Sequence, residues 1–509
     1  MSHVHVPSTE PIQPARRARP GDWGALAVLM LPVLLTSVDN TVLSFALPQV
    51  TTDLRPTGTQ LLWIVDLYPL MLAGFLIAAG SLGDRVGRRR LLVLGALGFG
   101  VASLVAAFSA TPEMLLAARA MLGFFGAALM PSTLSLIRNI FEDAAQRRVA
   151  IATWAAMFSG GAALGPVLGG WLLQHYWWGS VFLINAPIIV AFVVLAFVLL
   201  PESRDPSPGP IDVPSILLSL TAMLPLTFAI KKAAESGVTD VVVLAVVVGV
   251  ASVVAFLRRQ RRLTHPMIDL SLFGNRVFTG AITANLLSLM GFAGFMFFAA
   301  QFLQLVMGLS PLASAVALLP GLVVTVLAGF VAVRLVRHVP VHLVVAGSFV
   351  LSATGYAIAA FGDPTTGSIM LAFAVLGVGI GLAETLTNDL MLAGVPPHKA
   401  GAASALSETA YEIGAVLGTA VLGSILTQTF RRELQVPSYA ADSTGHTFET
   451  LGGALERAAL FPNEIGDTLR ASAIAAFDHG VQLTSAAAIL VALSAAWMSF
   501  RMLRDAPRH

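Results

Sequence analysis

The sequence predicts an all-α integral membrane protein with fourteen spanning helices, and three observations carry that prediction. Of 509 residues, 56% are hydrophobic and only 11% charged, against about 25% charged in a typical soluble domain. Mean hydropathy is +0.81. Runs of roughly 20 mostly apolar residues, the length a helix needs to cross a bilayer, follow one another almost end to end.

The polar stretch 1–22 carries Arg16, Arg17 and Arg19 and reads as a tail. The apolar run behind it continues through Leu47 without the small-residue cleavage site of a secretory signal, so it reads as a retained first helix. Spans are expected at Ala25–Leu47, Leu61–Leu82, Leu91–Ser109, Pro112–Ile137, Val149–Leu173 and Val181–Leu200. Two more follow at Pro214–Ile230 and Val241–Leu257. The last six are Val277–Leu303, Leu312–Leu335, Val341–Phe361, Ser368–Asn388, Ala400–Thr427 and Val481–Phe500. The segment 430–478 is long, and its Leu451, Leu455, Leu460, Phe461, Ile465 and Leu469 suggest short amphipathic helices.

An even number of spans puts both termini on one side, and the arginine bias of short cytoplasmic loops makes that side cytoplasmic. The inside loops then hold Arg85, Arg88, Arg89 and Arg90; Arg138, Arg147 and Arg148; Arg258, Arg259, Arg261 and Arg262; Arg334 and Arg337; and Arg501, Arg504 and Arg508. The opposite loops, such as Tyr176–Trp177–Trp178 and Gly362–Asp363–Pro364, have almost no arginine. One exception stands: Lys231 and Lys232 fall outside.

Several function classes are excluded. No cysteine is present, which removes thiol catalysis and thiolate metal sites. The ten histidines form no ligand pair at helical spacing, so neither a metal nor another cofactor is expected. The net charge of +2 sits in short loops between apolar runs, which points to anionic lipid headgroups rather than nucleic acid. The only lysines, Lys231, Lys232 and Lys399, are not followed by Ser or Thr, so no phosphate-binding loop exists to make an ATPase of this chain. The spans contain no constellation of nucleophile and base for an enzyme.

Buried charge is the positive signal. An ionisable group inside a bilayer costs about 2.5–3.5 kcal/mol on insertion scales and usually marks a pathway. At about 1.5 Å rise per residue, Asp39, Asp66 and Arg119 lie at one depth on three different helices. Two arrangements fit: a structural Asp39–Arg119 salt bridge with Asp66 satisfied nearby, or an unpaired Asp66 that takes up the proton while Arg119 pairs with Asp39. Further along stand Glu384, Asp389, Glu408 and Glu412. Glu408 and Glu412 are four apart and share a helix face, an arrangement of two anions that requires a proton or a bridging cation. Glu384 suits pathway or packing equally, and Asp389 reads as a solvated helix end. Phe292, Phe295, Met296, Phe297, Phe298 and Phe302 crowd helix nine, suited either to lipophilic cations or to lipid contact.

Four motifs add a resemblance. Gly80-Ser81-Leu82-Gly83-Asp84-Arg85-Val86-Gly87-Arg88-Arg89-Arg90 looks like the loop signature between helices two and three of the major facilitator superfamily. Leu116-Ala117-Ala118-Arg119 through Gly123 and Gly126 resembles the arginine motif of helix four. Gly160 to Gly170, with Gly161, Gly165, Pro166 and Gly169, resembles the antiporter motif of helix five. Asp39-Asn40-Thr41-Val42 with Ala46-Leu47-Pro48 resembles the first-helix motif of the fourteen-helix drug:proton antiporters. Trp63 to Tyr68 and Glu408 to Gly414 are similar to exporters of the QacA, SmvA and LfrA type.

The resemblance implies two six-helix bundles, 23–201 and 259–500, around an inserted helix pair at 202–258, with tails 1–22 and 501–509. It implies a multi-pass protein of the bacterial cytoplasmic membrane, working as a monomer among membrane lipids. It also implies a proton-coupled multidrug antiporter exporting lipophilic cations (quaternary ammonium compounds, dyes, fluoroquinolones) by alternating access. Export of an endogenous lipid, siderophore or other metabolite is the alternative. In the expected scheme deprotonated Asp39 or Asp66 holds the cation and Glu408 carries a second proton. Asp84 and Arg88 then latch the cytoplasmic face, and the glycines of helix five permit rocking.

Overall fold

The computed structural model describes residues 17–204, 212–264, 266–393, 400–436 and 447–506. It contains fourteen helices long and apolar enough to cross a membrane. The first six are α1 Pro20–Asp53, α2 Gly58–Val86, α3 Arg88–Ala107, α4 Pro112–Ile140, α5 Ala144–His175 and α6 Ser180–Leu199. Next come α7 Val213–Ser236 and α8 Asp240–Gln260. The remainder are α9 Arg276–Val306, α10 Pro311–Leu335, α11 Val341–Phe361, α12 Thr366–Ala393, α13 Leu406–Glu433 and α14 Asn463–Met502. Among the described residues there is no strand.

Local sequence sets where these helices begin and end. Thr57 opens α2 with a reciprocal capping box, its hydroxyl accepting from Gln60 N while the Gln60 side chain accepts from Thr57 N. Thr111 caps α4 ahead of Pro112, and Thr239 and Ser310 cap α8 and α10. Asp212 caps α7 and is gripped by Arg259 from the end of α8, Nη2 to Oδ1 2.7 Å. Partial burial pushes its pKa up, but the hydrogen bonds from Arg259 and Ser215 outweigh it and hold the carboxyl below the usual aspartate range. The α2–α3 turn closes on Gly87 at φ 113°, a backbone region closed to most side chains.

Packing divides the helices into two groups. In the first, α1 lies on α5 and α6, α2 on α4, and α3 on α4 and α6. In the second, α9 packs on α12, α13 and α14, with α11 against α12 and α14 and α10 against α12. The groups meet along two seams, α2 with α13 and α5 with α10. The pair α7–α8 stands outside both, α7 resting on α2 and on the last turns of α13. Its partner α8 turns Val241, Val243, Leu244, Val247 and Val250 outward, the apolar exterior a lipid solvent demands.

Two boundaries differ from expectation for tertiary reasons. Helix α7 runs on to Ser236, past the expected end at Ile230, so Lys231 is inside the helix and fully buried. Helix α14 starts at Asn463 rather than Val481, so the connection from α13 shrinks to 434–462. Its short helix Leu451–Ala458 lies over the end of α1. There Gly452 meets Thr51, Glu449 Oε2 accepts from Gly58 N at 3.0 Å, and Arg55 pairs with Glu456. This end of the molecule, here termed the loop face, is bound shut between the two groups. The opposite end carries α1's first residues and is termed the amino-terminal face; the first 16 residues of the tail lie outside the described residues.

Candidate functional site

Three charged clusters occupy the interior. The first joins Asp39 of α1 to Arg119 of α4, Oδ2 to Nη1 3.0 Å, with side-chain exposures of 0% and 3%. Arg119 Nε also donates to the Ile64 carbonyl at 3.0 Å, and its guanidinium lies over the Tyr68 ring, 4.6 Å from the centroid. Asn185 Nδ2 reaches Asp39 Oδ1 at 3.5 Å and Ser103 Oγ at 3.1 Å. Asp39 is thus fastened by fixed donors from two helices.

The second cluster was not foreseen. Asp66 of α2 is paired with Lys231 of α7, Oδ2 to Nζ 2.8 Å, in a site closed to solvent. Of the two arrangements the sequence left open, the structure has the one with Asp66 satisfied and not the unpaired one: the lysine that seemed to sit on the wrong side of the membrane is its counter-ion. The misplaced lysine was itself the signal, because a cation at the end of a span that lacks arginines needs a carboxylate partner. The ammonium also donates to the Leu62 carbonyl at 3.0 Å and rests on the Trp63 ring, 4.1 Å from the centroid. It lies off the hydrogen-bonding direction of Asp66, leaving both carboxylate oxygens without an aligned donor. Thr419 of α13 stands beside the same carboxylate, on a π-helical turn Gly418–Gly423. Such turns inside α-helices are frequent at functional sites.

The third cluster is Glu384 of α12 with Glu408 and Glu412 of α13. Glu408 feels the charge of Glu384, and Glu412 feels those of Glu408 and, across the seam, of Arg119. Tyr68 and Tyr411 lie within the same field. Glu412 is buried, whereas Glu384 and Glu408 are partly exposed. Among the described residues no basic side chain forms an ion pair with any of the three. Phe158 of α5 meets Tyr411 with ring centroids 6.3 Å apart, so an aromatic contact crosses between the groups at this level. Asp389 is exposed at the end of α12, although it makes contacts of its own.

The loop motif holds α3 to α6. Arg88 N donates to Ser203 O at 2.9 Å, Arg89 Nη1 to Leu200 O at 2.9 Å, and Arg89 and Arg90 both approach Glu202. Arg85 is exposed, and a β-carbon at Gly80 would lie 3.9 Å from Pro131 Cβ. The side chain of Asp84 lies outside the described residues, so its expected latch with Arg88 does too. Glu202→Gln is expected to lower thermal stability by no more than about 1 kcal/mol, as for a partly exposed pair, read from melting of the detergent-solubilised protein.

The glycine motif is a packing seam. Gly161, Gly165 and Gly169 meet Ser37, Thr41 and Val42, drawing α5 onto α1, with Pro166 buried beside them. Gly170 instead touches Pro311 and Leu312 at the start of α10, in the other helix group. Most aromatics of α9 are interior: Phe295, Phe297, Phe298 and Phe302 are buried, Phe295 stacking on Phe373 at 5.3 Å and edging Tyr356 at 5.9 Å, whereas Phe292 is partly exposed. Gln304 Nε2 of α9 donates to Phe45 O of α1 at 3.1 Å, one more bond across the loop face.

A model described as the Major Facilitator Superfamily matches residues 29–419. The chain is 51% identical over 478 residues to the multidrug efflux pump LfrA of Mycolicibacterium smegmatis, covering 93% of this chain and 95% of that one. It is 35% identical over 484 residues to the methyl viologen resistance protein SmvA of Salmonella typhimurium, covering 94% and 98%. Among solved structures, a bacterial homologue of the human lysosomal transporter Spinster, inward-facing and unoccupied, aligns at TM-score 0.68 and 18% identity over 96% of this chain and 98% of that one. That last likeness is one of fold.

Proposed function

The chain belongs to the major facilitator superfamily, and from that membership we propose that it is a proton-coupled multidrug antiporter exporting lipophilic monovalent cations by alternating access. It is a multi-pass membrane transporter and not an enzyme. Efflux follows from its relatives, a multidrug efflux pump and a methyl viologen resistance protein. The observation that carries proton coupling and cationic cargo is the glutamate cluster, three neighbouring carboxylates without a basic ion-pair partner among the described residues, of which Glu412 feels Arg119 across the seam between the bundles.

The arginine bias supports a cytoplasmic amino-terminal face, which makes the present state closed to the outside. A cation entering from the cytoplasm or inner leaflet meets Glu408 and Glu384 first, since these are the partly exposed acids. Asp39 and Asp66 are already neutralised by Arg119 and Lys231. The bundles then rock about the α2–α13 and α5–α10 seams, and protonation from outside expels the cargo. One carboxylate exchanging one proton for one monovalent cation moves no net charge. A second proton would add about 2.3 kcal/mol per 100 mV of membrane potential, and paired Glu408 and Glu412 supply two carriers.

Cells expressing the protein should accumulate less ethidium than empty cells, and a protonophore should erase the difference. Glu412→Gln should cut the efflux rate at least tenfold with the protein still in the membrane. Equal accumulation with and without the protonophore would sink the proton-coupled reading. Susceptibility profiling of a deletion strain tests it against export of an endogenous lipid, siderophore or other metabolite.

A further inference from the structure

We propose that Lys231 is a tethered stand-in for cargo: its ammonium occupies a cation subsite made by Asp66, the Trp63 ring and the Leu62 carbonyl, and transported cations displace it. This rests on the cation-export reading above and adds a second binding position to it, together with the residue that competes for that position.

The two buried pairs of the first bundle are built differently. Arg119 is a planar fork held by Asp39, the Ile64 carbonyl and the Tyr68 ring, and Asn185 braces the same carboxylate. Lys231 ends a flexible four-carbon stem and reaches Asp66 from α7, a helix of neither bundle. The ammonium donates one hydrogen bond, to a carbonyl at 3.0 Å, and is otherwise held by charge: a carboxylate oxygen at 2.8 Å and the face of an indole 4.1 Å away. A carboxylate beside an aromatic face is also what binds an organic cation. Neither Asp66 oxygen has a donor in good hydrogen-bond alignment, and apart from the ammonium the only group among the described residues that interacts with the carboxylate is the Thr419 side chain.

The remaining charges near this position are mutually engaged. Lys232 pairs with Glu235 at 3.2 Å, Glu235 accepts from Thr59 Oγ1 at 2.7 Å, and Arg431 of α13 lies in the field of Glu235. Lys231 is therefore the charge placed to leave. Thr419, on the π-helical turn of α13, brings the second bundle to the same carboxylate, so exchange of occupants at Asp66 is felt across the seam. A tethered competitor acts as a ligand at high effective concentration, which weakens apparent affinity for cargo and hastens its release.

The test is equilibrium binding of ethidium to the purified full-length protein in detergent at one pH, followed by transport in vesicles. Lys231→Met should tighten binding at least tenfold, and in transport should lower both KM and the maximum rate, a combination that loss of packing does not produce. Lys231→Arg should stay within threefold of the parent. The double variant Asp66→Asn/Lys231→Met, a neutral pairing that leaves no lone buried charge, should bind ethidium no more tightly than the parent. Unchanged or weaker binding by Lys231→Met, or tightening that persists without the Asp66 carboxylate, overturns the proposal while leaving cation export intact. Ethidium binding by Lys231→Met with none by the parent sustains it and counts against ethidium as cargo of the parent. Binding by neither overturns it whatever the efflux assay shows.

Discussion

Arg119→Leu is expected to abolish ethidium efflux and to cost about 3–5 kcal/mol of stability, the range for removing one partner of a buried ion pair. Asp39 would be left as a lone carboxylate at 0% exposure, with only the long contact from Asn185. The Ile64 carbonyl would lose its donor from Arg119, and Tyr68, whose hydroxyl already lacks a partner, would lose the guanidinium over its ring. The charge from the first bundle that Glu412 feels across the seam would vanish too. Adding Asp39→Asn should restore much of the melting temperature, because no uncompensated charge remains, but should not restore transport. A single Arg119→Leu variant as stable and as active as the parent would show that this pair contributes to neither fold nor cycle.

Gly170→Leu should drive the protein toward a state open at the loop face. A β-carbon at Gly170 would stand 2.8 Å from Leu312 Cα and 2.9 Å from the Pro311 carbonyl oxygen, both backbone atoms of the opposite bundle. Backbone cannot swing aside as a side chain can, so the clash is relieved by parting α5 from α10. Overpacking costs about 1–3 kcal/mol, and a bias of that size shifts a two-state balance roughly 5- to 150-fold. The chain has no cysteine, so a single Gln304→Cys reports the change cleanly. Gln304 bonds to Phe45 across the closed loop face, and its replacement should label severalfold faster with a membrane-impermeant thiol reagent when Gly170→Leu is present. Equal labelling in both backgrounds would mean that the α5–α10 contact does not set the conformation.

Much of this molecule was legible from local rules. Bilayer thickness fixes the length of an apolar run and water's absence forces it to be helical, so fourteen spans could be counted from the sequence. Caps such as Thr57 and Thr111 and the turn at Gly87 follow from chemistry within a few residues. Asp39, Asp66, Arg119, Glu408 and Glu412 stood out because ionised groups are costly in lipid wherever they lie. The aromatic run of α9 was less legible, since one helix alone does not reveal whether a given face meets lipid or another helix.

The sequence by itself determined the class, the span count and which charges needed explaining, because each depends on solvent and on near neighbours in the chain. Only the tertiary structure decided which charges meet. Lys231 reaches Asp66 across 165 positions because α7 docks along α2, and Gly170 matters because α5 comes to lie against α10. Long-range pairing of this kind is set by how helices pack, and packing depends on the shapes of whole faces rather than on any local pattern.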